Sequence, residues 1–152
     1  MANLNLLVAW IWVGLGFLSG LALGLGFNRE QWLGGYASWK RRLYRLGHIS
    51  FFGLGMVNLM FYFTVRAFPS GDLFAAIASI GFVAGAVTMP VCCLLMAHWP
   101  KAKAAFAVPV LSLLLAGVLT VVAIIRSNNA SPKTTADAKP APASTALAAN
   151  GL

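Results

Sequence analysis

Residues 4–27 read LNLLVAWIWVGLGFLSGLALGLGF, twenty-four consecutive positions without a charge. A helix rising 1.5 Å per residue would carry them about 36 Å, enough to cross a hydrocarbon core of roughly 30 Å. Three further runs repeat the pattern: residues 46–65, whose only ionisable group is His48, then 73–97 and 104–125. None shows the ten-residue alternation of a membrane barrel. The expected fold is all-α: a polytopic bundle of four transmembrane helices within residues 1–126, followed by a C-terminal tail.

Composition agrees with that reading. The 152 residues include 11 Lys or Arg and only 3 Asp or Glu, for a net charge of +8, and 60% are apolar. Ordinary globular chains run at roughly 45–50% apolar and about 25% charged. A soluble domain of this size needs polar groups to cover its surface, and 9% charge does not supply them. A soluble enzyme and a nucleic-acid-binding domain are both excluded by this scarcity.

The first run differs from a cleaved signal peptide. Residues 1–5 carry no Lys or Arg, the apolar core is too long, and no Ala-x-Ala site precedes Asn28. It is expected to be a retained helix. Residues 127–152, rich in Ala, Pro, Ser and Thr and without an aromatic, are expected to form a disordered tail. The triplet Asn129-Ala130-Ser131 fits the glycosylation pattern, but Pro132 follows it and three residues are a weak signal.

Basic residues set the expected orientation. Arg29, Lys40, Arg41, Arg42 and Arg45 lie between the first two runs, and Lys101 and Lys103 between the last two. Arg66, Arg126, Lys133 and Lys139 fall on the other side. The excess places the first and third loops in the cytoplasm and both termini outside it, as in a bacterial inner membrane.

Trp32, Tyr36 and Trp39 stand at i, i+4 and i+7, so a helix here puts three aromatics on one face beside Lys40, Arg41, Arg42 and Arg45. Rings settle at headgroup level, and basic side chains are drawn to anionic lipid. This collar is the expected interface with anionic headgroups or an acidic partner, although its basic residues also follow from topology alone.

Helices in lipid gain nothing hydrophobic by touching, so close backbone approach must hold them together. Gly16, Gly20 and Gly24 recur at four-residue steps on the first run, as in a glycine zipper, and Gly81 and Gly85 repeat the spacing on the third. They are expected to dock spans within the chain, or to receive another membrane subunit or a second copy. Asn58 is expected to face another helix and donate there. Pro90 lies well inside the third run, where it removes an N–H and crowds the carbonyl of Ala86; Thr88 or a neighbouring helix would re-satisfy that carbonyl. Pro109 sits near the start of the fourth run, and Asp72 is expected to cap the third.

Few residues carry chemistry. His48 and His98 fall at similar depth in one leaflet, and two imidazoles from different helices are what a six-coordinate haem b requires. Met89, Cys93 and Met96 share a helical face next to Cys92, while His48, Phe52, Met56 and Met60 share another. Were those faces to meet, they would offer soft donors for copper. Met and free Cys also serve as ordinary packing residues. The 3 acids, Glu30, Asp72 and Asp137, lie outside the apolar runs, which leaves no carboxylate for a proton relay.

Three functions follow, in order. The first is a non-catalytic accessory, assembly or structural subunit of a membrane complex, without cofactor. The second is a haem- or copper-binding electron-transfer or metal-handling protein using His48 and His98. The third is an oligomeric channel or carrier.

Overall fold

The computed structural model describes residues 2–68 and 73–130. It contains four long helices: α1 (Ala2–Leu25), α2 (Trp39–Ala67), α3 (Leu73–His98) and α4 (Ala107–Ala130). Short 3₁₀ turns at Trp32–Gly34 and Pro100–Phe106 precede α2 and α4. No strand occurs among the described residues. Four helical stretches are long and apolar enough to cross a membrane, and the chain is a four-helix polytopic bundle.

The extensive interfaces are α1 with α2, α2 with α3 and α3 with α4, while α1 reaches α3 through a smaller contact. α3 is the most enclosed helix because its inward positions are small: Ala78, Ala86 and Cys93 are wholly buried. Phe61 and Phe82 pack with Ala78 and Ala116 in one core cluster, their rings 5.1 Å apart. Val8, Leu54 and Ala86 form a second cluster, with Trp12 and Met89 against it. Large apolar side chains such as Trp10, Phe17, Leu21, Leu111 and Leu114 point outward, as a lipid-facing surface demands.

Helix boundaries depart from the apolar runs in three places. α2 starts at Trp39, seven positions before residue 46, so Lys40, Arg41, Arg42 and Arg45 belong to a helix that projects from the apolar zone. Lys and Arg are good helix formers, and Ser38 supplies the cap: its Oγ accepts from the Arg41 N–H at 3.1 Å and donates to the Leu33 carbonyl at 2.6 Å. The fourth run opens with the 3₁₀ turn and becomes α-helical only at Ala107. α4 then continues to Ala130, so residues 127–130 are helical rather than part of a tail. The expected tail beyond them, the Asp72 cap, and Lys133, Asp137 and Lys139 lie outside the described residues.

No single helix joins Trp32, Tyr36 and Trp39. Leu33, Gly34 and Gly35 all have positive φ, at 58°, 85° and 90°, and this left-handed run reverses the chain before α2. The aromatics therefore separate: Trp39 is exposed, whereas the indole of Trp32 folds back flat against Gly26, where a Cβ would collide with it.

Candidate functional site

Prolines create the first chemical demand inside the bundle. Pro90 has no N–H to give the carbonyl of Ala86, four residues earlier on α3. Trp12 Nε1 on α1 donates to that carbonyl instead, at 3.0 Å. Thr88 Oγ1 bonds its own helix at Ala84, 2.7 Å away, and leaves the Ala86 carbonyl to the indole. Pro109 stands in the same relation to Ala105, whose carbonyl lies 3.3 Å from the Cys92 sulfur as donor. At Ala86 a neighbouring helix supplies the missing hydrogen, whereas the Ala105 carbonyl also receives the Ala107 N–H within its 3₁₀ turn.

A polar knot ties three helices at the opposite end. Asn5 Nδ2 donates to Asn58 Oδ1 at 2.9 Å, and Ser79 Oγ donates to Asn5 Oδ1. Asn58 Nδ2 donates to the Leu54 carbonyl at 2.9 Å and reaches the Phe82 carbonyl at 3.5 Å. Asn5 and Asn58 are both wholly buried. Asn58 thus accepts from α1 and donates toward α3. Asn5 carried no expectation, although it lies inside the first run.

His48 sits where α1 and α2 meet. Its ring lies over Gly20, so that a Cβ there would stand 2.9 Å from His48 Cε1. Ser19 Oγ donates to the Gly16 carbonyl at 3.0 Å and lies 2.9 Å from His48 Nδ1. Ser19 has one hydroxyl proton for these two contacts; when it goes to the Gly16 carbonyl, Ser19 accepts from His48 Nδ1–H. Neutral His48 then keeps a lone pair on Nε2, which has no hydrogen-bond partner among the described residues. The imidazole lines a cavity of about 220 Å³, with Ser19, Trp32, Tyr44, Phe51 and Pro90 among its other walls.

The remaining donors are dispersed. His98 is exposed, and its Nε2 lies 3.0 Å from the Tyr44 hydroxyl. Met56 and Met60 face outward, whereas Cys93 and Met96 are buried, so the two candidate copper-binding faces do not meet. A four-residue step rotates a helix by about 40°, so over three steps the stripe that begins at His48 turns away from the bundle. Cys92 is occupied with Ala105, and Met89 packs against the Val8, Leu54 and Ala86 cluster. No three His, Cys, Asp or Glu side chains gather among the described residues.

The collar is organised around Arg41. Its side chain is only 3% exposed, and its guanidinium lies 4.5 Å from the Tyr36 ring, 5.2 Å from Phe27 and 6.0 Å from Trp32. Among the described residues Nη2 has no hydrogen-bond partner. Arg45 approaches the Tyr36 ring at 5.4 Å. Cation–π attraction takes the place of an ion pair here.

The glycines divide. Gly16 receives the Phe52 ring and Gly20 the His48 ring, but a Cβ on Gly24 would meet nothing within 4 Å. The first-span repeat therefore docks α2 through two positions, not three, because Gly24 lies one residue from the helix end, where the chain turns away. Gly81 and Gly85 face α4, against Ala116 and Leu113.

These features define a four-helix integral membrane protein whose internal polar groups serve its own packing, apart from the His48 cavity and the basic end. No protein-family model, curated protein or solved structure matches the chain.

Proposed function

We propose that this membrane protein acts as a non-catalytic accessory or assembly subunit, docking other membrane helices on the outward face of α1. One observation carries this reading. Trp10, Gly14, Phe17 and Leu21 follow one another at i, i+4, i+7 and i+11 on α1. The three large side chains are 65%, 69% and 64% exposed, and a Cβ on Gly14 would meet nothing within 4 Å. A glycine hollow flanked by large side chains is a surface that a second helix can enter closely. The basic end, with Lys40, Arg42, Lys101 and Lys103, would lie in the cytoplasm of a bacterial inner membrane against anionic headgroups.

Native electrophoresis of gently solubilised membranes tests this. The chain should migrate in an assembly larger than itself, and Gly14→Leu should release it without lowering its thermal stability. A chain that is strictly monomeric and co-purifies with no other subunit would refute the reading.

A further inference from the structure

We infer that the His48 cavity binds the head of a bilayer-dissolved phenol, a single aromatic ring bearing a hydroxyl donor on an apolar tail. Size comes first. An apolar cavity of about 150 Å³ admits benzene, whereas drug-sized ligands need roughly 300 Å³ or more. At about 220 Å³ the cavity holds one substituted ring and excludes a fused polycyclic alcohol. The tail leaves past Ala22 and Leu94, which border the cavity and are both exposed on the lipid side.

Wall chemistry selects the ring. Trp32, Tyr44 and Phe51 offer aromatic faces and edges to a bound arene, which favour offset or edge-to-face contact. His48 supplies the polar recognition. With the Ser19 proton on the Gly16 carbonyl, Nδ1–H donates to Ser19 and Nε2 presents a lone pair that accepts a hydrogen bond but cannot donate one. A ligand hydroxyl satisfies that acceptor, and an ether or a ketone does not. Tyr44 Oη is engaged with His98 Nε2 at 3.0 Å rather than with His48. The site is therefore specific for a donor, and reducing a quinone to its hydroquinone would create one.

A matched pair of probes isolates the hydrogen bond: 4-octylphenol and its methyl ether, titrated into the full-length protein in phosphatidylcholine nanodiscs. Tryptophan fluorescence reports binding, because Trp32 lines the cavity. The phenol should bind about fivefold more tightly than the ether, the worth of one net hydrogen bond. Nitrogen-15 NMR of the unliganded protein should show His48 as the Nδ1–H tautomer, with the Nε2 resonance moving on addition of phenol only. His48→Phe should equalise the two affinities while the ether still binds, and Ser19→Ala should reduce the discrimination by releasing the tautomer. Equal affinities in the unaltered protein, or a His48 Nε2–H tautomer, would overturn the assignment without any variant. So would a Soret band or bound copper that His48→Ala removes, since the lone pair would then belong to a metal.

Discussion

Trp12 on α1 donates its indole N–H to the Ala86 carbonyl on α3, the acceptor that Pro90 cannot satisfy. The two residues are 74 positions apart. An unpaired carbonyl inside a membrane has no water to turn to, so a proline there requires a donor from elsewhere. The proline in α3 and the seating of α1 are thus one structural feature.

That coupling is measurable by reversible unfolding in mixed micelles. Trp12→Phe should cost about 1 kcal/mol, between the membrane average of about 0.6 and the upper values near 2. In a Pro90→Ala background, α3 regains its own N–H and the same substitution should cost clearly less. If Trp12→Phe costs the same in both backgrounds, the indole acts by packing alone and the hydrogen bond is irrelevant.

The Asn5–Asn58 pair makes a second test. Removing either amide leaves its partner buried without a bond it now has, so Asn5→Ala and Asn58→Ala should each destabilise by about 1–2 kcal/mol. The two should cost about the same, because Asn5 joins Asn58 on α2 and Ser79 on α3, while Asn58 joins Asn5 on α1 and reaches Phe82 on α3. The double variant should cost less than the sum of the two. Strict additivity in the same unfolding assay would show that the two side chains do not depend on each other.

Much of this was legible in the sequence, and the remainder depends on register. Four uncharged runs fixed the number of spans, since only length and apolarity were needed. The start of α2 was hidden because charge marks the edge of hydrocarbon rather than the end of a helix, and Lys40 to Arg45 continue the helix past it. The need of Pro90 for a donor was visible, but Trp12 as that donor was not, because it depends on how α1 sits against α3. Asn5 lies inside the first run, and its pairing with Asn58 depends on how α1 sits on α2. His48 stood out as the only ionisable group in its run, yet the free atom on its ring is decided by Ser19, 29 residues away on another helix.

Glycine substitutions should rank by what a Cβ meets. On Gly81 it would stand 2.9 Å from the Ala116 Cβ and 3.2 Å from the Ser112 carbonyl, neither of which is the end of a flexible side chain. On Gly85 it would meet Leu113, which can change rotamer. On Gly24 it meets nothing. Thermal unfolding in detergent should therefore show Gly81→Ala as the most damaging and Gly85→Ala as milder. Gly24→Ala should be neutral or stabilising by up to about 1 kcal/mol through helix propensity. Equal effects at all three would deny that α3 and α4 are in close contact at Gly81.

Arg41 holds the chain reversal through aromatic faces rather than an acid. Arg41→Lys keeps the charge but loses the planar guanidinium, so hydrogen exchange across residues 27–38 should accelerate. The acceleration should persist at about 1 M salt, where screening acts over about 3 Å and a surface ion pair would already be lost. Unchanged exchange in Arg41→Lys would reduce the aromatic cage to incidental contact.

The basic end should face the cytoplasm, and single cysteines can establish it. Cys92 and Cys93 are buried, so the native thiols should label slowly with a membrane-impermeant maleimide. Ala37 lies in the turn before α2, whereas Asn128 lies near the end of α4 on the opposite side of the bundle. In intact cells, Asn128→Cys should label at once and Ala37→Cys only after permeabilisation. Excess Lys and Arg on one set of loops favours a cytoplasmic placement of those loops, so replacing Lys40, Arg42, Lys101 and Lys103 with Gln should weaken the expected orientation. Labelling of Ala37→Cys from outside intact cells would invert the topology and put the His48 cavity in the outer leaflet.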